Sequence, residues 1–250
     1  MLSSSPLLEV HNLSRRHPGG FELHSTSFSL SRGTTHAILG LNGAGKSTLF
    51  QLLSANSFAA SGTILLLGKV LRPEHYALKK NIGYLPQNLQ LPPWISGKEL
   101  LHYAARLYEI PAADQRISHM LDYWDCQSFA QLALGACSHG MQKRLALSLA
   151  LLHDPLLLIL DEPFSGLDLH HTRALEREIL ARRENGKLTI LSTHVIPYVV
   201  DLCQSTAILD RGQLTHLEGW ETGDDLTKKQ RIEDFFFRDQ ALANGKSSRH

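Results

Sequence analysis

Alternating apolar and polar residues mark two extended segments near the start of the chain, residues 7–13 (LLEVHNL) and 21–30 (FELHSTSFSL), separated by Pro18, Gly19 and Gly20. Turn residues between two alternating runs predict an antiparallel pair. Residues 36–39 form a short apolar strand running directly into Gly40. Residues 46–54 then switch to helical spacing, with Leu49, Leu52 and Leu53 on one side. Further strands are expected at 62–68 and 82–85.

After Trp94 the period changes. Leu100, Leu101, Ala104, Ala105, Leu107 and Tyr108 recur at helical spacing, and Pro111 closes that segment. Helices are expected next at about 115–124 and 141–152, so a helical block over about 89–154 is inserted between strand-rich parts. Residues 156–160 are apolar throughout, the pattern of a strand covered on both faces. A helix over 170–183, closed by Asn185 and Gly186, precedes strands at 188–192 and 206–210. Beyond Trp220 the chain is polar except for Ile232, Phe235, Phe236 and Phe237, enough to dock one short helix. The division expected is one domain over 1–220 and a C-terminal helix and tail over 221–250, its last residues, 244–250, disordered.

Composition narrows the function more than the fold. Of 250 residues, 43% are hydrophobic and 20% charged, values ordinary for a globular chain with a sizeable core. Lys and Arg (25) nearly balance Asp and Glu (24), so no basic footprint points to nucleic acid. Cys126, Cys137 and Cys203 form no CxxC pair and read as reduced thiols of a cytosolic protein. The 14 histidines are scattered without an HExxH spacing, which argues against a histidine-built metal site. MLSSSPLLEV has neither a basic region nor a continuous apolar stretch, so no targeting segment is expected. Residues 145–160, the most apolar region, are interrupted by His153, Asp154 and Pro155 and fall short of a spanning helix. Any membrane contact must then come through another chain.

Candidate chemistry begins at Gly40-Leu41-Asn42-Gly43-Ala44-Gly45-Lys46-Ser47, which matches GxxxxGK[ST] and sits between an expected strand and an expected helix. Glycines permit positive φ, so that successive N–H groups from Gly40 to Thr48 can converge on phosphate oxygens. The following helix turns its positive end to the same anion. Lys46 would reach the β- and γ-phosphates of ATP, and Ser47 would offer its hydroxyl to Mg²⁺. Chance produces such a pattern in about one chain in a hundred of this length, so the motif alone argues for phosphate binding. Farther on, the apolar strand at 156–160 ends in Asp161 and Glu162, at the carboxyl edge where open α/β sheets bind ligands. Asp161 can hold Mg²⁺ directly or through water. Glu162 can accept a proton from the water that attacks the γ-phosphate.

Between and after these motifs, Cys137-Ser138-His139-Gly140-Met141 resembles the LSGGQ signature of the ABC-type ATPases, and Gln142, Lys143 and Arg144 resemble the polar run that follows it. Gln87, in Gly83-Tyr84-Leu85-Pro86-Gln87, resembles the Q-loop; Ser165-Gly166-Leu167-Asp168 resembles the D-loop; Ser192-Thr193-His194 resembles the switch-histidine loop. Order and spacing agree with that family from about Leu8 to Gly219. The resemblance implies an α/β fold: a P-loop NTPase (RecA-like) core with an antiparallel β subdomain and a helical insertion. It also implies an ATP-binding and hydrolysing subunit that powers a transporter by ATP-driven dimerisation, and exporter-like members resemble this chain most.

In that family two nucleotide-binding domains face each other head to tail, as a homodimer or a heterodimer. The resemblance therefore implies that Ser138 and Gly140 contact the nucleotide of the opposite protomer, with Asp168 also at the nucleotide. His194 would sense the γ-phosphate and orient Glu162 or the water. Gln87 would join the metal set and link nucleotide state to the helical block, against which a transmembrane permease subunit docks. The chain would then sit peripherally on the cytoplasmic face of the inner (plasma) membrane. Three departures stand out. His139 replaces the first glycine of the signature, Met141 replaces its final Gln, and His17 stands near the position where an aromatic ring stacks on adenine. A non-transport ABC ATPase of translation or DNA repair, or a small-molecule P-loop kinase, are the competing readings. The first usually carries two such domains or a long coiled coil; the second leaves Ser138-His139-Gly140 unexplained.

These roles predict that Glu162→Gln binds ATP normally, loses turnover and accumulates as an ATP-bound dimer, whereas Lys46→Ala loses nucleotide affinity itself. Nucleotide-binding titration and phosphate release distinguish the two.

Overall fold

A computed structural model describes residues 6–220 and 222–244, backbone alone from 236 onward. Along the chain, β1 (Leu8–Arg16) and β2 (Glu22–Leu30) lead to β3 (Thr35–Leu39), α1 (Lys46–Leu53), β4 (Ser61–Leu66), β5 (Lys69–Val70), α2 (Tyr76–Lys79) and β6 (Ile82–Leu85). Three helices follow, α3 (Gly97–Leu107), α4 (Ala113–Tyr123) and α5 (His139–Leu151). The chain then returns through β7 (Leu157–Asp161), α6 (Leu169–Glu184), β8 (Leu188–Ser192), α7 (Ile196–Leu202), β9 (Ser205–Asp210) and β10 (Gln213–His216) to α8 (Asp225–Asn244).

Two sheets result. The expected antiparallel pair forms, with Leu8 opposite Leu30 and Arg16 opposite Glu22, and it grows into a four-stranded sheet of order β2-β1-β4-β5. The second sheet has six strands in the order β10-β9-β3-β8-β7-β6; all neighbours are parallel except β10, which turns back antiparallel on β9. Every residue of β3, β7 and β8 is buried, which is why the stretch that forms β7 reads as a continuous apolar run; Thr35, His36, Thr189 and Ser192 are the polar residues buried in the other two. The strands' period of two still divides them between two cores. Ala37, Leu39, Leu158, Leu160 and Leu191 face the core shared with α3 to α7. Ile38, Leu157, Ile159, Leu188 and Ile190 face the core shared with α1 and the first sheet.

Boundaries moved where capping, not hydrophobic period, decides them. α3 begins before the expected apolar run because Ser96 and Glu99 form a capping box: Glu99 N–H donates to Ser96 Oγ at 3.2 Å, and Ser96 N–H to Glu99 Oε2 at 2.7 Å. α5 and α6 likewise begin at capping side chains, Ser138 and Asp168. β5, α2, α7 and β10 were not anticipated; each is seven residues or shorter, too brief to establish a period. The C-terminal helix is 20 residues long rather than short, since solvent-facing positions such as Leu226 carry no amphipathic signal. Residues 245–250, expected to be disordered, lie outside the described residues. Among the described residues no helix is long and apolar enough to cross a membrane, and the three cysteines are buried and unpaired.

α8 is anchored through Trp220 and Ile232, which are 2% and 0% exposed within the helical-side core; Trp220 Nε1 donates to the Cys203 carbonyl at 2.9 Å. Ile232→Ala is expected to destabilise the chain by about 2–5 kcal/mol through lost burial and a residual cavity, read as a lowered midpoint in denaturant unfolding.

Candidate functional site

β3 delivers the chain to Gly40 in the middle of the large sheet, and α1 begins at Lys46, so residues 40–45 wrap as a loop between them. Two backbone constraints demand glycine there. Gly45 caps α1 at φ 107 and a Cβ on it would lie 2.3 Å from Phe21 Cζ; a Cβ on Gly40 would lie 2.3 Å from the Leu209 carbonyl oxygen. No side chain caps α1, which leaves its first N–H groups directed at the loop's hollow. The buried Lys46 folds back, Nζ donating to the carbonyls of Gly40 at 2.7 Å and Leu41 at 3.3 Å.

The acidic strand end meets this loop through a continuous run of hydrogen bonds. Ser47 Oγ donates to Asp161 Oδ2 at 2.6 Å, and Ser192 Oγ donates to Asp161 Oδ1 at 2.6 Å. Ser192 Oγ in turn accepts from the Glu162 N–H at 2.9 Å. Glu162, in a left-handed conformation at φ 47, accepts at Oε2 from His194 Nδ1 at 3.0 Å. Asp161 is 1% and Glu162 8% exposed, whereas the His194 side chain is 74% exposed. Gln87, just beyond β6, lines two adjoining clefts. One, of about 200 Å³, is floored by Asn42, Gly43, Gly45, Lys46, Ser47 and Thr48. The other, of about 380 Å³, is bounded by Ser47 and Asp161.

His17 is half-buried, its Nε2 3.3 Å from Thr48 Oγ1 and its ring tilted against Phe21 at 5.9 Å. The structure thus brings His17, residues 40–48, Gln87, Asp161, Glu162 and His194 into one connected region. Ser138, Gly140 and Asp168 group with one another instead. Ser138 Oγ accepts from Met141 N–H at 3.3 Å, and Gly140 and His139 pack on Gly166, where an added Cβ would lie 3.0 Å from His139 Cδ2. Asp168 Oδ1 accepts from the His171 N–H at 2.9 Å, and its carboxylate also meets His171 Nδ1 at 2.8 Å. The backbone hydrogen bond from His171, then its ring, hold Asp168 below the usual carboxylate range. Within its own chain, then, Asp168 caps α6, the residue having been expected at a nucleotide.

Two members of the region escaped sequence reasoning. Phe21 was read as the start of a strand; β2 begins at Glu22, which leaves Phe21 in the turn over Gly45. Ser192 was expected at the end of a strand and the start of a loop motif with no role of its own; it closes β8 fully buried and joins the two acids. The donor set fits a triphosphate with a small hard cation. Loop amides and an ammonium suit phosphate oxygens, while the Ser47 hydroxyl and Asp161 carboxylate are oxygen ligands of the type Mg²⁺ takes. Among the described residues no three His, Cys, Asp or Glu side chains cluster to hold a metal.

A protein-family model described as ABC transporter matches residues 23–165. An uncharacterized ABC transporter ATP-binding protein of Nostoc sp. is 37% identical over 196 residues, which cover 77% of this chain and 58% of the relative's length. The linearmycin resistance ATP-binding protein of Bacillus subtilis is 30% identical over 210 residues, 83% of this chain and 68% of the relative. The solved structure of the ATP binding subunit of an ABC transporter superposes with a TM-score of 0.80 at 26% identity, covering 91% of this chain and 99% of that one.

Ser192→Ala strips Asp161 of a donor and the Glu162 N–H of an acceptor at buried positions. It is expected to destabilise the chain by about 1–3 kcal/mol in urea unfolding.

Proposed function

The chain belongs to the ABC transporter family, and from that premise we propose that it binds ATP with Mg²⁺ and hydrolyses it as one half of a two-chain machine. The observation that carries this reading is the unbroken hydrogen-bond path from the phosphate loop to His194: Ser47 to Asp161, Asp161 to Ser192, Ser192 to Glu162, Glu162 to His194. It aligns a phosphate cradle, a pair of hard oxygen ligands and a general base along one sheet edge.

Residues 40, 42–45 and 48 give the amides and hydroxyl of the cradle, and Lys46 the charge that holds the β- and γ-phosphates. Ser47, Asp161 and Gln87 hold the cation, which when bound neutralises phosphate charge. Glu162 takes the proton from the attacking water, a contribution of about 10²–10⁴-fold. His194 donates to Glu162 and so holds that carboxylate aimed. His17 and Phe21 supply rings beside the cradle for the adenine.

Ser138 and Asp168 are exposed and Gly140 is partly so. Each lies at or near the first residue of α5 or α6, where unpaired N–H groups favour an anion. They are assigned to the nucleotide held by a second ATPase chain, identical or a sibling. Transport requires a membrane-spanning partner, and the described residues contain no spanning helix. A membrane-spanning permease subunit completes the assembly, and this chain sits peripherally on its cytoplasmic face. Relatives named for linearmycin resistance and for Nod factor export favour export as the direction.

The test is phosphate release by the full chain with ATP and Mg²⁺. Chelation of the metal is expected to abolish it. Ser138→Ala is expected to lower turnover at least about tenfold while ATP still binds; an unchanged rate places the whole active site within one chain and overturns the two-chain reading.

A further inference from the structure

Lys143 lies on α5, beyond the exposed Ser138-His139-Gly140 start, and is 1% exposed. An ammonium so deeply buried is costly unless the fold gives it a specific partner. Its Nζ donates to the backbone carbonyl oxygen of Glu162 at 3.0 Å. Burial lowers its pKa, and the charges of Asp161 and Glu162 oppose that shift. A buried amino donor therefore sits behind the two acids at the carboxyl end of β7.

The residue it grips is strained. Glu162 has φ 47, a left-handed conformation that non-glycine residues adopt only when their surroundings over-determine it. Both polar groups of its backbone are held, the N–H by Ser192 Oγ at 2.9 Å and the carbonyl by Lys143. With the main chain fixed at both ends, the Glu162 carboxylate is delivered to His194 at 3.0 Å. The next residue of α5, Arg144, reaches the other way: Nη1 donates to His171 Nε2 at 3.1 Å, and His171 Nδ1 donates to the Asp168 carboxylate. One helix thus holds the general base with one side chain and the cap of α6 with its neighbour.

We infer that Lys143 is a positioning residue for hydrolysis: it holds Glu162 in the conformation that aims its carboxylate, and it ties that carboxylate to the exposed start of α5. The inference rests on the ATPase reading above. Engagement of Ser138 and Gly140 by a second chain's nucleotide then bears on this chain's own Glu162 through one turn of helix and one hydrogen bond. Nucleotide affinity does not run through Lys143, because neither of the clefts at the phosphate loop includes it.

Steady-state hydrolysis by the full chain tests this. Lys143→Met keeps the stem but removes the donor. It is expected to lower kcat at least tenfold and to leave KM for ATP within about twofold, in a chain that still unfolds in one cooperative transition above the assay temperature. Lys143→Arg, which retains charge and donors, is expected to recover most of the lost turnover. A merely structural lysine predicts another pattern: Met at the wild-type rate, Met losing rate only in step with its fold, or Arg as slow as Met in a folded chain. Any of these overturns the inference. Absence of hydrolysis in the wild-type chain overturns the ATPase reading itself, and is seen before any variant is compared.

Discussion

Everything at the sheet edge depends on the Asp161 carboxylate, which is almost wholly buried and accepts a 2.6 Å hydrogen bond at each of its two oxygens. One donor, Ser47, belongs to the helix after the phosphate loop; the other, Ser192, ends the neighbouring strand β8. A buried charge of this kind is tolerable only when fully hydrogen-bonded. Satisfying it fixes three elements relative to one another: α1, β7 and β8. The short O–H to carboxylate contacts are of the charge-assisted type, stronger than neutral pairs. The loop over residues 40–45 and Glu162 are therefore registered to a common atom pair rather than to flexible loops.

The sheet makes that registration rigid. Its central strands are buried on both faces and send alternate side chains into two separate cores, so neither can shift without disturbing both. Strand β7 carries the acids at its carboxyl end, and the parallel neighbours β6 and β8 bring Gln87 and Ser192 to the same edge. Parallel order makes this convergence automatic, since the carboxyl ends of all such strands lie on one side.

α5 connects this edge to the exposed signature. Its N-terminal turn, with Ser138, His139 and Gly140, packs on Gly166 ahead of α6, while its buried side reaches Glu162 through Lys143. An imidazole in place of the first signature glycine is accommodated because Gly166 offers no side chain against it. One helix thus touches both the exposed turn at Gly166 and the buried end of β7.

Much of this was legible in the residues alone. The order of phosphate loop, Gln87, Ser138-His139-Gly140, Asp161-Glu162, Ser165-Gly166-Leu167-Asp168 and His194 identified the family. The strands expected at 82–85 and 188–192 matched β6 and β8 residue for residue. What tertiary structure alone decided are contacts between residues far apart in the chain. Phe21 lies over Gly45, Ser192 joins Asp161 to Glu162, and Lys143 grips the carbonyl of a residue 19 positions away. No local period or motif encodes such pairings. A hydrogen bond to a backbone carbonyl leaves no trace in the identity of its acceptor, and a buried lysine in a polar run reads as one more solvated charge until the fold closes over it.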